Sequence, residues 1–96
     1  LLVVVTYDVS VTDPGGTRRL SRVAKVCERY GKRVQNSVFE CIVDSVGLKQ
    51  MQSALKEIVN LKMDSLRFYN LGKNYRTKVV HWGAKDVQNV QDPWII

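Results

Sequence analysis

The chain has 96 residues, 45% hydrophobic and 25% charged, with a formal net charge of +6. That length and balance fit one small globular domain and exclude a disordered or low-complexity chain. The basic surplus points to a polyanionic partner, nucleic acid first, because each phosphate neutralised releases counterions.

Leu1 to Tyr7 is a continuous apolar run rich in β-branched residues, the pattern of a buried strand. It is too short to cross a bilayer and lacks a basic flank or cleavage site, so no membrane partner is expected and the expected location is cytoplasmic. Asp8 closes the run. Ser10 to Gly16 reads as a loop, with Asp13, Pro14, Gly15 and Gly16 as successive turn formers.

Thr17 offers a helix cap, and Leu20, Val23, Ala24, Cys27 and Tyr30 recur at helical spacing behind it. Arg18, Arg19, Arg22, Lys25 and Arg29 lie mostly around the opposite side, followed by Lys32 and Arg33, with Glu28 the single acid between Thr17 and Arg33. Gly31 is expected to close the helix in a left-handed conformation.

Arg33 to Asp44 is strand-like but interrupted at Gln35, Asn36 and Ser37, which implies a tight hairpin or a bulged, bent strand. Ser45 is the expected cap of a second amphipathic helix carrying Leu48, Met51, Leu55, Ile58 and Val59. Asn60 to Met63 leads out, and Ser65 to Leu71 alternates as another strand. Gly72 to Thr77 is a polar turn, Lys78 to Trp82 reads as a last short strand, and Asp92 to Ile96 is an apolar tail. Cys27 and Cys41 fall on apolar positions without metal-ligand spacing and read as reduced core residues.

This order gives an α+β, ferredoxin-like βαββαβ sandwich with both helices on one sheet face. One domain spans 1–96, with its core at about 1–71 and a C-terminal strand and tail at 72–96. The helix-free sheet face needs a cover, and a second copy is the simplest one. The last strand then pairs with the edge of the partner's sheet, so a homodimer is expected.

Asp8, where a buried strand meets a glycine-containing loop, is the leading candidate for chemistry. Magnesium takes one or two carboxylates with water and phosphate, so two copies of Asp8 near a two-fold axis would share one ion beside a phosphodiester. The alternative is an aspartate that hydrogen-bonds its own loop or pairs with an arginine. Asp13 is a candidate second ligand, or simply a turn residue. Arg18, Arg19 and Arg33 suit phosphate through bidentate contacts. Tyr7 positions substrate or fills space. His81 lacks any evident thiol partner, and Trp82 and Trp94 are expected to bury a subunit contact.

The first strand ending in Tyr7-Asp8, the helix carrying Arg18-Arg19 and the run Arg33-Val34-Gln35-Asn36-Ser37-Val38-Phe39-Glu40 together resemble the CRISPR-associated Cas-two (Cas2) family. The resemblance runs over nearly the whole chain. It implies a homodimeric metal-dependent endonuclease acting on duplex DNA or single-stranded RNA, with Mg²⁺ (or Mn²⁺) shared between subunits through Asp8. By the same resemblance, Tyr7, Arg18, Arg19, Arg33, Ser37 and Phe39 match positions near that site or supporting it. Work alongside the Cas-one (Cas1) integrase in spacer acquisition is implied as well. The alternative is a non-catalytic dimeric scaffold that bridges the integrase and holds the spacer duplex, docking through Trp94-Ile95-Ile96.

Overall fold

The computed structural model describes residues 1–83. Strand β1 (Leu2–Asp8) leads through a loop to helix α1 (Gly16–Tyr30), and β2 (Gly31–Gln35) follows without a spacer. Strand β3 (Val38–Ile42), helix α2 (Ser45–Ile58) and β4 (Ser65–Asn70) complete the order. The strands form one sheet in the order β2-β3-β1-β4, every neighbouring pair antiparallel. Each strand–helix–strand unit therefore straddles a strand of the other, which is the interleaving of the ferredoxin-like sandwich.

Alternation along β1 decides the layers. Val3, Val5 and Tyr7 join Phe39 and Cys41 of β3, Val23, Val26 and Cys27 of α1, and Met51 and Leu55 of α2 in one buried core. Both cysteines are free there, and burial pushes their thiols up to about 11 for Cys27 and about 12 for Cys41. They are neutral packing groups, as their apolar setting implied. The opposite face carries Val4, Thr6 and Asp8, which lie across from Val38, Glu40, Tyr69, Arg67 and Ser65. The described residues cover that face only in part: Leu2 is buried, Val4, Thr6 and Val38 are half-buried, and Ile42 and Tyr69 are exposed.

Four local expectations change. Gly15, not Thr17, is the N-cap of α1, and no side chain caps that end. Asp44, not Ser45, caps α2, its carboxylate accepting from the Gly47 N–H at 2.7 Å. A carboxylate one residue earlier satisfies the orphan donor, so Ser45 is drawn into the first turn. Gly31 is extended rather than left-handed and is already the first residue of β2. Its glycine is required by close approach, because a Cβ there would lie 2.1 Å from the Glu40 carbonyl oxygen and 2.6 Å from the Cys41 Cα. Finally, Arg76 to Lys78 lies in a turn, and no strand follows β4 among the described residues. The expected Lys78–Trp82 strand does not form, although β2 and β4 leave two sheet edges open among the described residues.

The β2–β3 connection satisfies both readings of its sequence. Asn36 and Ser37 form a two-residue turn, and the register slips between Arg33 and Gln35, leaving Val34 as the bulged residue. The loop entering α1 is tight as well: a Cβ on Gly16 would lie 2.0 Å from the Ser10 carbonyl oxygen.

Candidate functional site

Asp8 is the last residue of β1, opposite Ser65 of β4, and it is exposed. Its carboxylate has neither a hydrogen bond nor an ion pair among the described residues, so it neither caps its own loop nor pairs with an arginine. An aspartate aimed at solvent from the end of a rigid strand is a ready oxygen ligand. No cluster of three or more metal-ligating side chains occurs among the described residues. Within one chain, Asp8 therefore offers an ion a single carboxylate.

The backbone beyond Asp8 is held by a residue that the sequence did not single out. Asp64, at the entrance to β4, has a fully buried side chain. It accepts from the Ser10 N–H at 3.0 Å, the Asn60 N–H at 2.8 Å and the Arg19 Nε at 2.8 Å. Arg19 also donates through Nη1 to Asp13 at 2.7 Å and through Nη2 to Asp13, Asp64 and the Ser10 carbonyl. Hydrogen bonds from Arg19 hold both carboxylates below their usual range, and the two acids raise the Arg19 pKa in turn.

These contacts correct two expectations. The guanidinium of Arg19 is occupied by two carboxylates and is not free to clamp a phosphate. Asp13 is its partner rather than a metal ligand. The clasp fixes Ser10 against the start of β4 and so sets where the chain goes after Asp8.

The remaining candidates fall into two groups. Arg18 is exposed on α1 and aligns with the exposed Arg22, Lys25 and Arg29 at four-, three- and four-residue spacing. These four form one cationic stripe about 16 Å long. Tyr7, Phe39, Arg33 and Ser37 gather instead on the helix side of the sheet, away from Asp8. Tyr7 stacks on Phe39 with centroids 6.1 Å apart, and the Arg33 guanidinium lies 5.1 Å from the centre of the Phe39 ring. Ser37 accepts from the Tyr7 N–H through its carbonyl at 3.1 Å. Burial raises the Tyr7 phenol above its ordinary value, offset in part by Arg33, so it remains neutral.

His81 is exposed while Cys27 and Cys41 are buried, so no Cys–His pair forms. Val80 and Trp82 are 78% and 89% exposed. Trp94, Ile95 and Ile96 lie outside the described residues. No helix among the described residues is long and apolar enough to cross a membrane.

Comparison with known proteins places this geometry in context. The family model described as CRISPR associated protein Cas2 matches residues 1–79. A CRISPR-associated endonuclease Cas2 of Halalkalibacterium halodurans is 54% identical over 95 residues, 99% of each chain. A CRISPR-associated endoribonuclease Cas2 of Nitratidesulfovibrio vulgaris is 49% identical over 96 residues, covering all of this chain and 94% of the relative. Among solved structures, Streptococcus pyogenes Cas2 at pH 6.5 superposes with a TM-score of 0.75 at 48% identity, covering 86% of this chain and 100% of that one.

Proposed function

The chain belongs to the CRISPR-associated Cas2 family, and from that premise we propose that it is a divalent-metal-dependent endonuclease whose ion is held by Asp8. The observation that carries this reading is the Asp8 carboxylate, which is exposed at a strand end and unengaged by any described neighbour. Relatives bearing the names endonuclease and endoribonuclease support hydrolysis of a phosphodiester.

Mg²⁺ or Mn²⁺ suits a site with so few protein carboxylates, because such ions retain waters and take phosphate oxygens. The chemistry such an ion supplies when bound is polarisation of the phosphodiester and a more acidic water. The chain's own residues do the rest. Two copies of Asp8 meet when the helix-free sheet faces pair in a homodimer, which also covers Val4, Val38, Ile42 and Tyr69. Arg18, Arg22, Lys25 and Arg29 hold the strand by its phosphates, and the Arg19–Asp64 clasp fixes the backbone that follows Asp8.

The test is cleavage of labelled duplex DNA and single-stranded RNA, with and without Mg²⁺, by the wild-type chain and Asp8→Ala. Metal-dependent cutting absent from the variant, with binding retained, supports the assignment and identifies the substrate. Equal cutting by both proteins contradicts it.

A second reading has its own observation. Val80 and Trp82 are large apolar residues left in solvent by the single chain, as expected of a segment that docks on another protein. In that reading the homodimer bridges the Cas1 integrase during spacer acquisition and holds duplex DNA on its basic surface without cutting it. Binding that is tight and salt-sensitive, with no cleavage in any metal, favours the scaffold.

A further inference from the structure

Tyr7, Phe39 and Arg33 leave the sheet on the side opposite Asp8, so they cannot share its ligand within one chain. Between α1 and the β2–β3 turn lies a cleft of about 540 Å³, lined by Tyr7, Leu20, Ala24, Lys25, Arg33 and Ser37 among others. Leu20 and Ala24 supply an apolar wall. The exposed Lys25 and Arg33 supply positive charge at the rim, with Glu28 the one acid of the lining among the described residues.

Tyr7 also lines the cleft, and its hydroxyl is only weakly engaged. Tyr7 is 5% exposed, yet its hydroxyl reaches only the Asn36 carbonyl at 3.5 Å, the limit of a hydrogen bond. That carbonyl already accepts from the Arg33 Nη1 at 2.8 Å. A hydroxyl with so long a hydrogen bond can turn to donate to a group bound in the cleft.

The volume lies within the range of small-ligand sites, about 300–1,000 Å³. One nucleotide matches the lining. Its base offers a flat apolar face to Leu20 and Ala24, its phosphate suits Lys25 and Arg33, and its oxygens can accept from Tyr7. Glu28 disfavours a longer run of phosphates in the same space. The cationic stripe of α1 passes along the rim through Lys25, so a strand following the stripe would present single nucleotides to the cleft.

We propose that this cleft binds one unpaired nucleotide of a nucleic-acid strand, base against Leu20 and Ala24 and phosphate toward Lys25 and Arg33, as a subsite apart from Asp8. The proposal rests on the nucleic-acid reading above but not on hydrolysis.

The test titrates the isotopically labelled, metal-free full chain with uridine 5′-monophosphate, uridine and inorganic phosphate, followed by amide NMR shifts. The nucleotide should move the amides of Tyr7, Ala24 and Ser37 saturably, with uridine or phosphate alone binding about fivefold or more weakly. Tyr7→Phe, which keeps the ring stack, should weaken the nucleotide about fivefold, and Ala24→Leu should fill the cleft and weaken it about tenfold. Ser21→Leu blocks the same space from an exposed rim position and serves if Ala24→Leu does not fold. Shifts centred on Asp8 or on the outer surface of α1 would overturn the proposal. So would unchanged affinity in both cleft-filling variants, phosphate binding as tightly as the nucleotide, or no saturation by about 10 mM. Cleavage dependent on Asp8, measured separately, tells the two readings apart. Cleft binding without cleavage removes the nuclease and leaves the subsite, and cleavage without cleft binding does the reverse.

Discussion

Tyr7 and Asp8 are consecutive in β1, yet their side chains leave opposite faces of the sheet, Tyr7 toward Phe39 in the core and Asp8 into solvent. The period of two in a strand makes this unavoidable. One strand end therefore serves two environments: a neutral phenol under a helix and a free carboxylate on the helix-free face.

The clasp around Asp64 makes the fold acid-sensitive. Asp13 and Asp64 both have folded-state pKa values below their ordinary ones, set first by hydrogen bonds from Arg19. Carboxylates of this kind stabilise the fold above the unfolded pKa of about 3.9 and lose that contribution as pH falls through the depressed folded value. Urea denaturation should give near-constant stability from about pH 7 to 5 and a decline below about pH 4. In Asp64→Asn that decline should be shallower. Asp64→Ala should cost about 2 kcal/mol at neutral pH, because the Ser10 and Asn60 N–H groups lose their acceptor.

Gly31→Ala should destabilise the fold by about 1–3 kcal/mol in the same assay, since the added methyl meets backbone on β3 rather than a flexible side-chain end. Gly72→Ala has room for its methyl but must adopt a φ of +81°, so its cost should be smaller and purely conformational, about 1 kcal/mol.

The stripe of Arg18, Arg22, Lys25 and Arg29 should dominate the salt dependence of binding. Each phosphate that the protein no longer neutralises lowers the slope of log K against log salt by about 0.7–0.9. Replacing Arg18 and Arg22 together by alanine should reduce the slope by about 1.5 and weaken binding to all sequences alike. A fluorescence-anisotropy series in salt measures both quantities.

The sequence made the main architecture legible because its signals were local. The β-branched run of β1, the helical spacing of Leu20, Val23, Ala24 and Cys27, and the alternation of Leu66 and Phe68 each reflect burial of one face. The exposed position of Asp8 was legible for the same reason, as the polar residue that ends a buried strand. What the sequence concealed was long-range. Arg19 and Asp64 are 45 residues apart, and nothing near either one reveals that they meet. Arg19 therefore looked like one more phosphate ligand in a basic helix. Gly31 misled by position, since glycine after a helix usually marks a left-handed cap and here marks close strand approach. The sidedness of Tyr7, Arg33 and Phe39 relative to Asp8 was implicit in strand alternation, but it required the β2–β3 register to place Arg33 across from Phe39.

The most direct test of the central claim, that Asp8 holds the divalent ion, is a Mn²⁺ titration of the wild-type chain and Asp8→Asn followed by electron paramagnetic resonance. One ion should bind per two wild-type chains and none at that site in the variant. Equal Mn²⁺ binding by both proteins would contradict it.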